Sequence, residues 1–148
     1  MTKKLFAFTI NNLEEAEKII LGSKTYKIKP ILHLKKYFLL DFGAEFILTF
    51  QNILISKFGK LNFELFVDCG SDQSLAINMA NKKINYLKLK TNSIILSKIN
   101  SIAYKNRVLL NPAFNIVDFR NRKNINLKLR KLYYKEKNEN RWESNQSR

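Results

Sequence analysis

The chain is short of the residues that staple, metallate or sharply bend a fold. Among 148 residues there are one cysteine, one histidine, two prolines and four glycines. A single cysteine excludes an intrachain disulfide framework and points to a reducing compartment, so a cytoplasmic location is expected. One His and one Cys fall short of a zinc ligand set, and no metal or other cofactor is expected. Gly22, Gly43, Gly59 and Gly70 stand too far apart to write a P-loop or a dinucleotide fingerprint. Scarce Gly and Pro also exclude collagen-like and Pro/Gly-rich disordered classes. No apolar run reaches bilayer length, and no signal-like apolar stretch with a small-residue cleavage site follows Met1. A soluble chain without a membrane span is expected.

Acidic residues are scarce too, and positive charge is what remains. Lys and Arg number 27 against 12 Asp and Glu, a formal charge of +15. Such a surface attracts polyanions through long-range Coulomb forces. Lys dominates, however, and Lys, Asn and Ile share A/T-rich codons, so base composition alone supplies part of the excess. Arg is the better sign of phosphate recognition, because its planar fork binds bidentately. Five of the six Arg fall at Arg120, Arg122, Arg130, Arg141 and Arg148. Residues 119–148 are therefore read as a basic, partly disordered extension of one domain spanning residues 1–118. Arg120, Arg122, Lys123, Arg130 and Lys131 are the candidate contacts for RNA or single-stranded DNA. Tyr133, Tyr134 and Trp142 offer stacking surfaces.

Apolar patterning organises the rest. Residues 5–10 form an apolar run of strand length, as in a strand covered on both faces. Asn12 reads as an N-cap with Glu15 completing a box-like pair, and Gly22 as the residue that ends the helix. A second strand is expected at 26–32, on an edge or bulged, because Pro30 cannot donate to a ladder. Helices are expected at 46–58, 71–83 and 93–106, separated by strands at 62–68, 86–90 and 108–110. One helix between each pair of strands at regular spacing is the βαβ period, which implies parallel strands and right-handed crossovers. The expected class is thus α/β, with about five short parallel strands in an open flavodoxin-like sheet or a partial β/α barrel. Strands two and four are read as edges, where Lys27, Lys29, Lys88 and Lys90 discourage pairing. Oligomeric state stays open.

Ligands of parallel α/β sheets gather at the carboxyl ends of strands. Those ends read Thr9, Asn11, His33, Asp68, Cys69, Gly70, Lys90 and Asn111. The segment Asp68-Cys69-Gly70-Ser71-Asp72 puts a carboxylate, a thiol and a capping hydroxyl at a helix start, where free amides and the helix dipole favour an anion. Gly70, Ser71 and Asp72 are the candidate anion contacts, although turn formation and capping alone explain Gly70 and Ser71. Asp68, Cys69 and His33 are the candidate catalytic groups, with nothing in their spacing to show that they meet. A phosphorelay receiver is excluded, because Thr9-Ile10-Asn11-Asn12 lacks the acidic pair that would hold Mg²⁺ and Asn111-Pro112 lacks a Lys. Asn81-Lys82-Lys83-Ile84 lacks the Asp of a guanine-reading tetrapeptide. Gly43 is read as opening a second helix start near the first.

With Phe66-Val67-Asp68-Cys69-Gly70-Ser71, Leu75-Ala76 and a strand near Leu87, the chain resembles short, uncharacterised proteobacterial α/β proteins. These carry a strand, Asp-Cys-Gly and an Ala/Leu-rich helix. The resemblance spans residues 5–110 and is specific over 66–80. It implies the same βαβ architecture and a shared loop at 68–70, and brings no activity. His33-Leu34-Lys35-Lys36-Tyr37 departs from it where a small Gly-containing loop is expected. The expected function is a non-catalytic or accessory module binding a small anion at the loop after the third strand. The alternatives are a nucleic-acid-associated protein acting through its tail and a small enzyme using Asp68 or Cys69.

Overall fold

In the computed structural model, residues 5–36 and 43–146 are described, with side chains through residue 135. The chain runs β1 (Phe6–Thr9), α1 (Leu13–Lys24), β2 (Ile31–Leu34), α2 (Gly43–Phe58), a short 3-10 turn at Lys60–Asn62, β3 (Glu64–Asp68) and α3 (Gln73–Asn81). It continues with β4 (Tyr86–Lys88), α4 (Ser93–Lys105), β5 (Leu109–Leu110), β6 (Asn115–Asp118) and α5 (Ile125–Gln146). Local chemistry sets these boundaries. Asn12 Oδ1 accepts from Glu15 N at 2.8 Å and caps α1. The Glu15 carboxylate accepts from Asn11 N and, far along the chain, from Asn121 N. Asn92 caps α4 through Ile95 N. At α3 the cap is Asp72, which accepts from Leu75 N at 3.0 Å. Ser71, expected there, lies one residue outside, because the turn after β3 takes one residue more than the sequence suggested.

All six strands are parallel, in the order β5-β4-β3-β2-β1-β6. From β1 to β5 the chain moves one strand over in the same direction each time. Right-handed crossovers then place every connecting helix on one face. Phe8, Leu32, Leu34, Leu65, Val67, Leu87 and Leu89 point to that face and are buried with Ile19, Ile47, Leu54, Met79 and Ile99 of the helices. A doubly wound, flavodoxin-like sheet would need a reversal and helices on both faces.

The link from β5 to β6 fixes the curvature. Only Asn111–Phe114 separates them, although they lie at opposite ends of the sheet order. Five steps of about 3.8 Å reach at most about 19 Å. Five flat strand spacings would need about 24 Å. The sheet therefore curls and the link crosses its concave side. There the Phe114 ring packs edge-on against Phe66 (5.5 Å between centroids) and Tyr86 (4.8 Å). The architecture is the partial β/α barrel.

Several expectations change here. Pro30 precedes β2 instead of interrupting it, and its carbonyl accepts from Glu64 N. Strand β2 is consequently interior, and the edges are β5 and β6, not strands two and four. Gly22 sits inside α1 where α5 approaches: a Cβ there would lie 2.7 Å from Leu129 Cδ1. The domain does not end at residue 118. Phe119, Ile125, Leu129 and Tyr133 are buried, Phe119 packs edge-on against Phe8, and Tyr133 Oη and Ser23 Oγ lie 2.8 Å apart. The helix is amphipathic at one face only, so its polar composition hid a buried stripe. Trp142 lies beyond the described side chains.

Leu129 is fully buried against α1, whereas Leu127 on the same helix is half exposed. Leu129→Ala is expected to lower the free energy of unfolding by about 2–5 kcal/mol. Leu127→Ala is expected to change it by less than about 0.5 kcal/mol, as solvent-facing sites do. Urea denaturation of the two variants checks this pair.

Candidate functional site

In-register parallel neighbours point to the same side of a sheet, so the pairings Asp118–Thr9–His33–Phe66–Tyr86 define one row across the concave face. Asp68 and Lys88 are paired two residues further on, at the carboxyl ends of β3 and β4. Below, Ala7, Ile31 and Phe66 form a small apolar floor with Tyr86 and Phe114. Above that floor opens a cavity of about 520 Å³ walled by His33, Phe66, Lys88, Lys90, Asn111, Phe114 and Ile116. Asn111 is held there by exchanging hydrogen bonds with the backbone N–H and C=O of Leu89.

His33 is the most constrained polar group of this mouth. It is 5% exposed, its ring stacks on Phe66 at 4.8 Å, and Nδ1 lies 2.8 Å from Thr9 Oγ1. Nε2 is buried without a hydrogen-bond partner among the described residues. The tautomer follows from counting partners. If the Thr9 hydroxyl donates to Nδ1, the proton sits on Nε2 and one buried donor is left over. If Nδ1 donates instead, both the Thr9 hydrogen and the Nε2 lone pair are left over, at greater cost. The Nε2–H form is the cheaper. Burial pushes the imidazole pKa down to about 4; Asp68 opposes this, and Lys35, Lys88 and Arg120 add to it.

The rim carries Lys35, Lys88, Lys90 and Arg120 against Asp68 and Asp118. Arg120 closes on Asp118 through Nε and Nη2 at 2.9 and 2.6 Å, which holds that carboxyl well below the usual carboxylate range. Asp68 Oδ1 accepts from Gly70 N at 2.9 Å. Tyr86 donates to Glu64, and burial together with that carboxylate raises its phenol to about 12.

The expected catalytic groups divide between the two faces. Asp68 and His33 share the concave side. Cys69 lies on the convex side, fully buried in the helix-packed core, and burial, then Asp68 and Asp72, raise its thiol to about 12. A neutral thiol on the opposite face forms no Cys-His-Asp arrangement. The expected anion contacts are largely spent: Gly70 N donates to Asp68, Asp72 N to the Cys69 carbonyl, and the Asp72 carboxylate occupies the helix start. Beside that loop a cavity of about 320 Å³ is lined by Lys36, Asp72, Ser74 and Asn78. The Lys36 stem covers Gly70, where a Cβ would meet Cδ at 2.5 Å. Gly43 opens α2 with φ 74° and borders the same cavity. Of the tail candidates, Arg120 joins the concave rim, while Arg122, Lys123, Arg130 and Lys131 are exposed elsewhere, after β6 and along α5. Lys88, Phe66 and Phe114 were not singled out as site residues; the alternation of Leu87 and Leu89 with Lys88 and Lys90 was the available signal. Among the described residues no three His, Cys, Asp or Glu side chains form a metal-ligating group, and no helix is long and apolar enough to cross a membrane.

No protein-family model and no curated protein matches this chain. Among solved structures it is similar to a Coccidioides immitis protein provisionally assigned as a fructose-1,6-biphosphate aldolase, with a TM-score of 0.55 and 11% sequence identity. The match covers 72% of this chain and 44% of that one, so the chain spans less than half of that protein's length. At this identity the likeness carries the α/β fold and no activity.

Because the folded His33 pKa lies below its ordinary 6.5, the unfolded chain takes up a proton first as pH falls. The contribution is complete above pH 6.5 and is lost as pH falls through about 4. It amounts to about 3 kcal/mol. Urea unfolding between pH 7 and pH 4 is expected to show this loss in the native chain and its absence in His33→Gln.

Proposed function

We propose that this chain is a small, non-catalytic binding module whose concave mouth takes a small anion with an apolar body. One observation carries the reading: a buried imidazole N–H without an acceptor among the described residues stands in the wall of a cavity rimmed by more cations than carboxylates. An oxyanion is the complement of that donor and of Lys88 and Lys90, and charge-assisted hydrogen bonds are the strong ones. Phe66, Phe114 and Ile116 supply an apolar wall for the rest of the ligand. The site lies at the carboxyl ends of the strands, the general position of ligands in parallel α/β folds. It replaces the helix start at residues 70–72, where Asp72 already supplies the negative charge. In this reading the protein works as a soluble cytoplasmic accessory, and Cys69 is a core residue.

Phenyl phosphate and inorganic phosphate are the probes. Titration followed by two-dimensional NMR is expected to move resonances of residues 33, 66, 88 and 114, with phenyl phosphate binding more tightly. Lys88→Glu is expected to weaken binding by roughly tenfold or more, the loss of one charge-assisted contact. Equal responses from the native chain and Lys88→Glu, or none from either, overturn the proposal.

A second reading rests on a separate surface. Arg122, Lys123, Arg130 and Lys131 are exposed and make no ion pair among the described residues, as a phosphate-tracking strip requires. A quadruple charge reversal, Arg122→Glu, Lys123→Glu, Arg130→Glu and Lys131→Glu, leaves the buried face of α5 intact, as truncation at 118 would not. For RNA binding, single-stranded RNA affinity at about 150 mM salt should fall at least tenfold in this variant, with a shallower salt dependence. Unchanged affinity removes the reading.

A further inference from the structure

Resting on the anion-binding reading, we infer that the concave mouth takes up its anion together with a proton, His33 passing from neutral imidazole to imidazolium as the ligand enters. The geometry of the two ring nitrogens supports this. Nδ1 faces a hydroxyl, Thr9 Oγ1 at 2.8 Å, and a hydroxyl can donate or accept. In the neutral ring Thr9 donates to Nδ1; in the imidazolium the Thr9 hydroxyl rotates and Nδ1–H donates to it. A carbonyl in that place would lock Nδ1 as a donor, and a lysine would lock it as an acceptor. Thr9 is thus a positioning residue that serves both charge states without moving. Nε2 carries hydrogen in both states and has no partner among the described residues, so it is the edge available to a ligand oxygen.

The charges around the ring set the direction of the coupling. From β3 Asp68 favours the cation; from the segment after β2 Lys35, from β4 Lys88, and from the segment after β6 Arg120 oppose it. Asp118 stands in the same row but is paired with Arg120. Tyr86, its phenol raised to about 12, stays neutral. Lys90 shares the cavity wall. In the free protein burial and this cation excess keep His33 neutral. A ligand carrying one or two negative charges neutralises Lys88 and Lys90, replaces the missing counter-charge beside the ring, and so reverses the balance. The proton comes from solvent and no covalent bond changes. The ligand class is accordingly an oxyanion, a phosphomonoester or a carboxylate with an apolar substituent, bound more tightly as pH falls below the bound-state pKa.

His33 is the sole histidine, so its imidazole ¹⁵N and ring-proton signals are assigned without variants. With phenyl phosphate as probe, the free protein at pH 7 is expected to give the neutral Nε2–H pattern and the saturated protein the imidazolium pattern. ³¹P shifts report the ionisation of the phosphate separately. The affinity for the fully ionised phosphate is expected to weaken roughly tenfold per pH unit between the free-state pKa of about 4 and the bound-state pKa, and to level off above the latter. In His33→Gln, which keeps a donor but cannot take a proton, that dependence is expected to vanish while binding remains. Binding with an imidazole that stays neutral overturns the proton coupling and leaves the anion site standing. Failure of phenyl phosphate to bind at any pH overturns both. The native-chain spectra decide the matter even where the variant does not fold.

Discussion

Four residues, Asn111–Phe114, must carry the chain from one edge of a six-stranded parallel sheet to the other, and the geometry of the molecule follows from how little chain that is. A parallel connection ordinarily takes a dozen residues or more and a helix. Here the link is too short to pass around the outside, so it runs across the inside of a curled sheet and leaves Phe114 as a plug against Phe66 and Tyr86. Curling brings the ends of β2, β3 and β4 opposite β6. That is why one cavity is walled both by His33 and Lys88 and by Ile116, a residue three strands away from β3 in the sheet order. Without the curl the same side chains would lie along an open, wet surface. The Thr9–His33 pair would then be solvated and the imidazole would titrate normally.

The curl also sorts the chemistry. Winding in one direction gives the convex face to the helices and leaves the concave face for polar groups at its upper end. Residues adjacent in sequence are thereby separated: Asp68 looks into the mouth while Cys69 is buried beneath α3. The thiol and the imidazole occupy different dielectric environments on opposite sides of the sheet, and both are held uncharged by burial. Between them, charge at the mouth is arranged by one strong pair. Arg120 and Asp118 satisfy each other at the end of β6, which leaves Lys88 and Lys90 facing the cavity with Asp68 as the nearby carboxylate.

What the sequence disclosed depended on whether a signal was local. The βαβ period from β3 to β5, the cap at Asn12, and the parallel α/β class could all be read from spacing and hydropathy. The sixth strand could not, because Asn115–Asp118 follows Pro112 without a helix and its inward residues, Ile116 and Asp118, are half of them polar. The role of α5 was hidden for a related reason: Ile125, Leu129 and Tyr133 recur at helical spacing but sit among Lys, Arg and Asn, so composition outweighed periodicity. Pro30 suggested an edge, yet a proline placed just before a strand needs no ladder donor there. The face on which His33 lies was unreadable, since Ile31-Leu32-His33-Leu34 is buried on both sides and shows no alternation. His33 and Asp68 appeared among the strand ends; Lys88 did not, because an exposed lysine on a short strand looks like ordinary solvent-facing charge.

The energetics of the mouth favour binding over architecture as the reason for its polarity. A buried N–H without an acceptor costs about 1–3 kcal/mol. The neighbours of His33 on the concave face, Ala7, Ile31 and Phe66, form an apolar cluster that a leucine at position 33 would extend at no such cost. The imidazole does not anchor a structural network either, since its one hydrogen bond among the described residues goes to Thr9, a residue already fixed by its own strand. Nor does it repay its burial through an ion pair, because it is neutral where Asp68 could have held it charged. What the arrangement does supply is a fixed donor with reversible charge, held rigid by Phe66 and Thr9 and set opposite two lysines. Those are the properties that discriminate an oxyanion from water, and they are localised at the one place where the short link has made the sheet close over itself.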